Sequence, residues 1–93
     1  MSSSDSESRM SGSEQQVFEI VRSKVLEVLE DLDPLQVTPE RSLLELGANS
    51  LDRVEVAMLA MEELELRVAP SELAGVANLR ELSRVLAQHL DAR

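Results

Sequence analysis

The sequence predicts an all-α protein, a small four-helix bundle of three longer helices and one short helix, with a long loop between the first and second. Three observations carry this expectation. Apolar residues recur at three- and four-residue spacing in three separate segments, Ser, Asn or Pro stands near the head of each helical run, and no stretch alternates long enough to suggest a sheet. With no cysteine in the chain, neither a disulfide framework nor a thiolate metal site is available, and cohesion rests on apolar packing within about eighty residues.

The first dozen residues are rich in Ser and poor in apolar side chains, so ordering them would be repaid by almost no burial. They are expected to form a disordered tail over residues 1–12, leaving residues 13–91 as the domain. Ser13 lies three residues before Gln16, the spacing of a capping box, and Val17, Ile20, Val21, Val25, Val28, Leu29 and Leu32 then follow helical periodicity. Asp31, Asp33 and Pro34 are expected to end this first helix, because proline disfavours helical geometry at the residue before it.

Residues 34–49 form the long connection. It contains five aliphatic residues, Leu35, Val37, Leu43, Leu44 and Leu46, which are expected to pack down over the end of the bundle, with a short helical turn near residues 39–44. The second helix begins at Asn49 or Ser50 and runs to about Leu64, with Asp52 and Glu55 in its early turns where the helix dipole favours negative charge. Pro70 opens a one-turn helix through Ala74, stopped by Gly75. Asn78 followed by Glu81 signals the last helix, whose stripe is Leu79, Leu82, Val85, Leu86 and Leu90.

Eighteen acidic residues against nine basic ones give a net charge of −9, which repels phosphate backbones and anionic lipid surfaces. Neither nucleic acid nor membrane is expected as a partner. The apolar runs are too short and too often interrupted by charge for a signal peptide or a span, so a cytoplasmic monomer is expected, one that meets basic patches on other proteins in salt-sensitive encounters. The single Phe, with no Tyr or Trp, also removes the aromatic platform that stacks bases.

The residue that stands out is Ser50, in Leu46-Gly47-Ala48-Asn49-Ser50-Leu51-Asp52. It is a hydroxyl following a glycine-containing turn at a helix start, a surface position suited to covalent attachment. Hydrolase chemistry does not fit, since the second glycine of a nucleophile elbow is missing and the one histidine, His89, lies far away near the end of the last helix. Calcium binding does not fit either, because Pro34, Leu35 and Gln36 follow Asp31 and Asp33 where an EF-hand needs oxygen ligands and a glycine. Glu62 and Glu63 occupy adjacent, diverging helix positions and read as a solvated face.

This motif, followed by Val54-Glu55 and Met61-Glu62-Glu63-Leu64, resembles acyl carrier proteins over roughly residues 14–90. The resemblance implies that Ser50 carries 4'-phosphopantetheine, transferred from coenzyme A by a phosphopantetheinyl transferase, and that the arm's thiol holds acyl groups as thioesters while the protein itself catalyses nothing. Many members have Asp immediately before the serine; this chain has Asn49, which lowers the local charge and still offers a cap. Partners implied are acyltransferases, ketosynthases or hydroxymethylglutaryl-synthase-like enzymes. The stretch Asn49-Ser50-Leu51-Asp52-Arg53-Val54-Glu55 and its Met-rich continuation resembles the free-standing donor carriers of polyketide β-branching cassettes. Fatty-acid and peptidyl carriers are the alternatives within the family, and a cofactor-free helical adaptor with Ser50 as a mere cap is the alternative outside it.

The second helix has two apolar stripes, Leu51, Val54, Met58 and Met61 on one side and Val56, Ala57, Ala60 and Leu64 on another. Periodicity and size favour the first stripe as the core face. The resemblance implies the reverse, with Leu51, Val54, Met58 and Met61 exposed for docking among Asn49, Asp52, Arg53, Glu55 and Glu62.

Overall fold

A computed structural model describes residues 12–92. The expected tail thus lies, apart from Gly12, outside the described residues. Four α-helices follow in order, α1 (Gly12–Val28), α2 (Ser50–Leu64), α3 (Pro70–Leu73) and α4 (Leu79–Ala92), and no strand occurs among the described residues. The all-α bundle of three longer helices and one short one is therefore as expected.

The core is aliphatic with one ring. Val17, Phe18, Val21 and Val25 of α1 meet Val56, Ala60 and Leu64 of α2 and Leu79, Leu82, Leu86 and Ala87 of α4, while Val37, Leu46 and Val68 seal it from the links. α1 packs along both α2 and α4, and α3 touches α4. Polar ties cross the same seams: Lys24 Nζ meets Glu63 at 2.8 Å between α1 and α2, and Ser13 Oγ donates to Asp91 at 2.8 Å between α1 and α4. The Glu63 hydrogen bond is the main cause holding Lys24 above the ordinary lysine range, and it makes Glu63 a bridging residue where a merely solvated one was expected.

Two expectations for α1 need correction. Ser13 does not cap α1, because the helix already includes Gly12 and the Ser13 hydroxyl is turned to α4. α1 ends at Val28, short of Leu32, and its last turn holds no basic residue. Glu30, Asp31 and Asp33 stand at the negative end of the dipole, where carboxylates are unfavourable, and the Asp33 side chain instead caps a 3-10 turn (Pro34–Gln36) by accepting from the Leu35 N–H at 3.0 Å. Leu29 and Leu32 keep their expected packing as half-buried residues beside the core.

The helical turn expected near residues 39–44 is displaced. Carbonyls of Pro39 and Arg41 accept from the Arg80 and Leu79 N–H groups at 2.8 and 2.9 Å, so they satisfy the orphan donors at the start of α4 and are not available to a local helix. Arg80 reinforces this seam by pairing with Glu40 at 2.8 Å, and that hydrogen bond is the chief cause depressing the Glu40 carboxyl below its ordinary range. The turn forms instead over residues 42–47, where Ser42 and Glu45 cap each other reciprocally at 2.9 and 3.0 Å. Of the five loop aliphatics, Val37 and Leu46 are buried and Leu43 is half-buried, whereas Leu35 and Leu44 stand 83% and 67% exposed.

Candidate functional site

The turn at residues 42–47 aims the chain into α2. Ala48 N–H bonds to the Leu43 carbonyl at 2.9 Å and Gly47 N–H to Leu44 at 3.0 Å, closing the turn with Gly47 at φ 96°, a left-handed geometry that costs glycine little. Ala48 is then buried, and Asn49 begins the helix as its cap.

Asn49 Oδ1 accepts from the Asp52 N–H at 2.7 Å, and Asp52 Oδ2 accepts from the Asn49 N–H at 3.3 Å. This reciprocal box satisfies donors that Ser50 would otherwise serve. Ser50 is therefore the first helical residue and not the cap. Its exposed hydroxyl is free of that structural duty, and its polar contact is Arg53 Nη2, which donates to Oγ at 3.2 Å.

Beside Ser50 opens a cleft of about 710 Å³ between α2 and the segment of α3 and its following loop. Ser50 and Arg53 lie on its lining with Val54, Met58, Leu73 and Val76. The faces of α2 follow the resemblance and contradict periodicity: Leu51, Val54 and Met58 are 74%, 54% and 52% exposed, while Val56, Ala60 and Leu64 are buried. Ala57 is half-buried. Met61 departs from the expected exposed strip, since it is half-buried and packed against the core. Arg53, Glu55 and Glu62 are exposed around the strip, and Asp52 is partly covered by its capping role.

The Ser42-Leu43-Leu44-Glu45 box lies outside the turn expected from the sequence, although its Ser-x-x-Glu spacing is the signal that marks it. His89, expected at a helix end, lies in the last turn of α4 with Nε2 2.7 Å from Glu72 of α3, so it fastens one wall of the cleft. No group of side chains suited to a metal ion occurs among the described residues. No helix among them is long and apolar enough to cross a membrane.

Residues 19–86 match the family model for the phosphopantetheine attachment site. The chain belongs to the acyl carrier protein family. It is 43% identical over 72 residues to the polyketide biosynthesis acyl-carrier protein AcpK of Bacillus subtilis, covering 77% of this chain and 88% of the relative. The acyl carrier protein of Campylobacter concisus is 39% identical over 67 residues, covering 71% of this chain and 86% of that one. Among solved structures, the crystal structure of the curacin biosynthetic pathway HMG synthase in complex with an acetyl donor carrier contains a chain that superposes with a TM-score of 0.75 at 35% identity, spanning 85% of this chain and 99% of that one. Membership in the acyl carrier family brings a covalent 4'-phosphopantetheine group. A solvent-facing hydroxyl that takes no part in capping and lines an apolar cleft suits such a group, because nothing in the fold has to open for it to be attached.

Proposed function

We propose that Ser50 carries the 4'-phosphopantetheine arm and that the protein is a non-catalytic donor carrier in polyketide β-branching, presenting an acetyl-type thioester to a hydroxymethylglutaryl-synthase-like enzyme. The observation that carries the first part is the division of labour at the start of α2, where Asn49 does the capping and leaves the Ser50 hydroxyl exposed. When bound, the arm supplies a thiol that holds acyl groups as thioesters.

The chain's own residues do three things. The turn at residues 42–47 and the Asn49–Asp52 box hold Ser50 in one orientation, so the transferase meets a fixed target. Leu51, Val54 and Met58 offer an apolar strip to enzymes, and methionine lets it adapt to more than one of them. Asn49, Asp52, Arg53, Glu55 and Glu62 edge that strip, and charge at such a rim governs encounter rate and choice of partner. Met61 supports the strip from below. The β-branching assignment is supported by the likeness to a polyketide carrier and to the chain seen with the curacin HMG synthase. Use of coenzyme A supports a cytoplasmic setting.

Intact mass after incubation with coenzyme A, magnesium and a promiscuous phosphopantetheinyl transferase tests the attachment. A gain of one arm in the wild type, absent in Ser50→Ala, is expected. No gain, or a gain that persists in Ser50→Ala, would favour a cofactor-free adaptor or another site. The donor role is tested by loading acetyl on the arm and following its transfer to an HMG-synthase-type enzyme. Transfer no faster than from a fatty-acid carrier would remove the β-branching assignment.

A further inference from the structure

Arg53 is out of place on purely helical grounds. It lies in the first turn of α2, at the positive end of the dipole, where a cation is disfavoured and carboxylates are preferred. Its acidic sequence neighbours do not neutralise it: Asp52 and Glu55 are one and two positions away and diverge around the helix, and Arg53 forms no ion pair within 4.0 Å among the described residues. Side chains on a helix lean toward its N-terminus, and the guanidinium accordingly reaches back one turn to the Ser50 oxygen at 3.2 Å. It is exposed and lies on the lining of the same cleft as Ser50.

We propose that Arg53 is a positioning residue that grips the phosphodiester of the arm on Ser50 and so fixes how the arm leaves the protein. The inference rests on Ser50 being the attachment point. Once esterified, Oγ would be a poor acceptor, while the phosphorus bonded to it would carry anionic non-bridging oxygens only two bonds away, which a guanidinium already touching Oγ is placed to meet. Arginine suits this task better than lysine, since its planar fork donates two parallel hydrogen bonds to phosphate. The same anion also reverses the unfavourable dipole energy of a cation at this helix end. Arg53 thereby gains a charge partner only in the loaded protein, and the first bonds of an otherwise freely rotating tether are held at the cleft edge.

The test compares wild type, Arg53→Gln and Arg53→Lys by intact mass and by phosphorus NMR of the loaded proteins. Loading is driven to completion with excess transferase, so intact mass confirms that all three spectra come from fully loaded protein whatever the rate of loading, and circular dichroism should be unchanged because the side chain is exposed. The wild-type phosphorus resonance should be broadened and should move with added salt toward the position it holds in Arg53→Gln, which itself should be sharper and insensitive to salt. Arg53→Lys, with charge and no fork, should retain the salt response and lose part of the broadening. Identical line widths and salt responses in wild type and Arg53→Gln would overturn the grip while leaving the carrier assignment standing. Absence of mass gain in the wild type would overturn both.

Discussion

Single substitutions test the proposed separation of docking from folding on α2. Val54→Asp and Met58→Asp place charge on residues already more than half exposed, so each variant should stay folded, within about 0.5 kcal/mol of wild type, while partner binding falls. Urea denaturation beside a binding titration checks this, and an unfolded variant would show that this face is core after all. Ser83 is the opposite case. Its hydroxyl in α4 is fully buried and has no hydrogen-bond partner among the described residues, so Ser83→Ala should be neutral or stabilising by up to about 1 kcal/mol in the same denaturation assay. The helix start at Ser50 was legible, because a helix start and its cap are written in adjacent positions. The face of α2 was not, since Leu51, Val54 and Met58 make as good a stripe as Val56, Ala60 and Leu64 do. What decides between them is the surface that the rest of the core offers, and local periodicity holds no information about it.

At the level of elements, the caps decide where helices begin and what they point at. Asn49 and Asn78 were readable as caps, and both act as such: Asn78 Oδ1 accepts from the Glu81 N–H at 2.9 Å, as Asn49 does from Asp52. The displaced turn in the long loop was less readable, because Pro39 and Arg41 give their carbonyls to α4, forty residues further along the chain and invisible to any local window. The end of α1 is hard to read locally for a related reason. Apolar spacing continues through Leu32 as packing, while the backbone has already left the helix under three carboxylates at its negative end. Gly47 is where an element-scale substitution should be felt. At φ 96° an added Cβ meets no neighbouring atom, so Gly47→Ala should cost about 1 kcal/mol through backbone geometry alone, measured by urea denaturation.

For the molecule as a whole, long-range polar seams supplement a modest core. Glu40 pairs with Arg80 across the loop and α4, and its carboxyl titrates below the ordinary value of 4.5 in the folded state. A lowered folded-state pKa stabilises the fold above the unfolded value and ceases to do so as pH falls through the folded one. The stability gap between wild type and Glu40→Gln should therefore be present at neutral pH, below about 1 kcal/mol because the pair is solvent-exposed, and should close as pH drops below 4.5. Denaturant titrations at a series of pH values check it; a gap that widens in acid would contradict the assignment. Overall architecture was legible because three amphipathic segments leave few ways to bury themselves, whereas the seams between distant segments were not.

The stitching of α4 to residues 39–41 also bears on how the protein can be handled. Since the opening amides of the last helix hold the loop that feeds Ser50, shortening the chain from its far end would slacken the proposed anchor of the tether half a sequence away. Fusion partners and dyes therefore belong beyond Ala92, where a linker leaves the stitched end of that helix undisturbed.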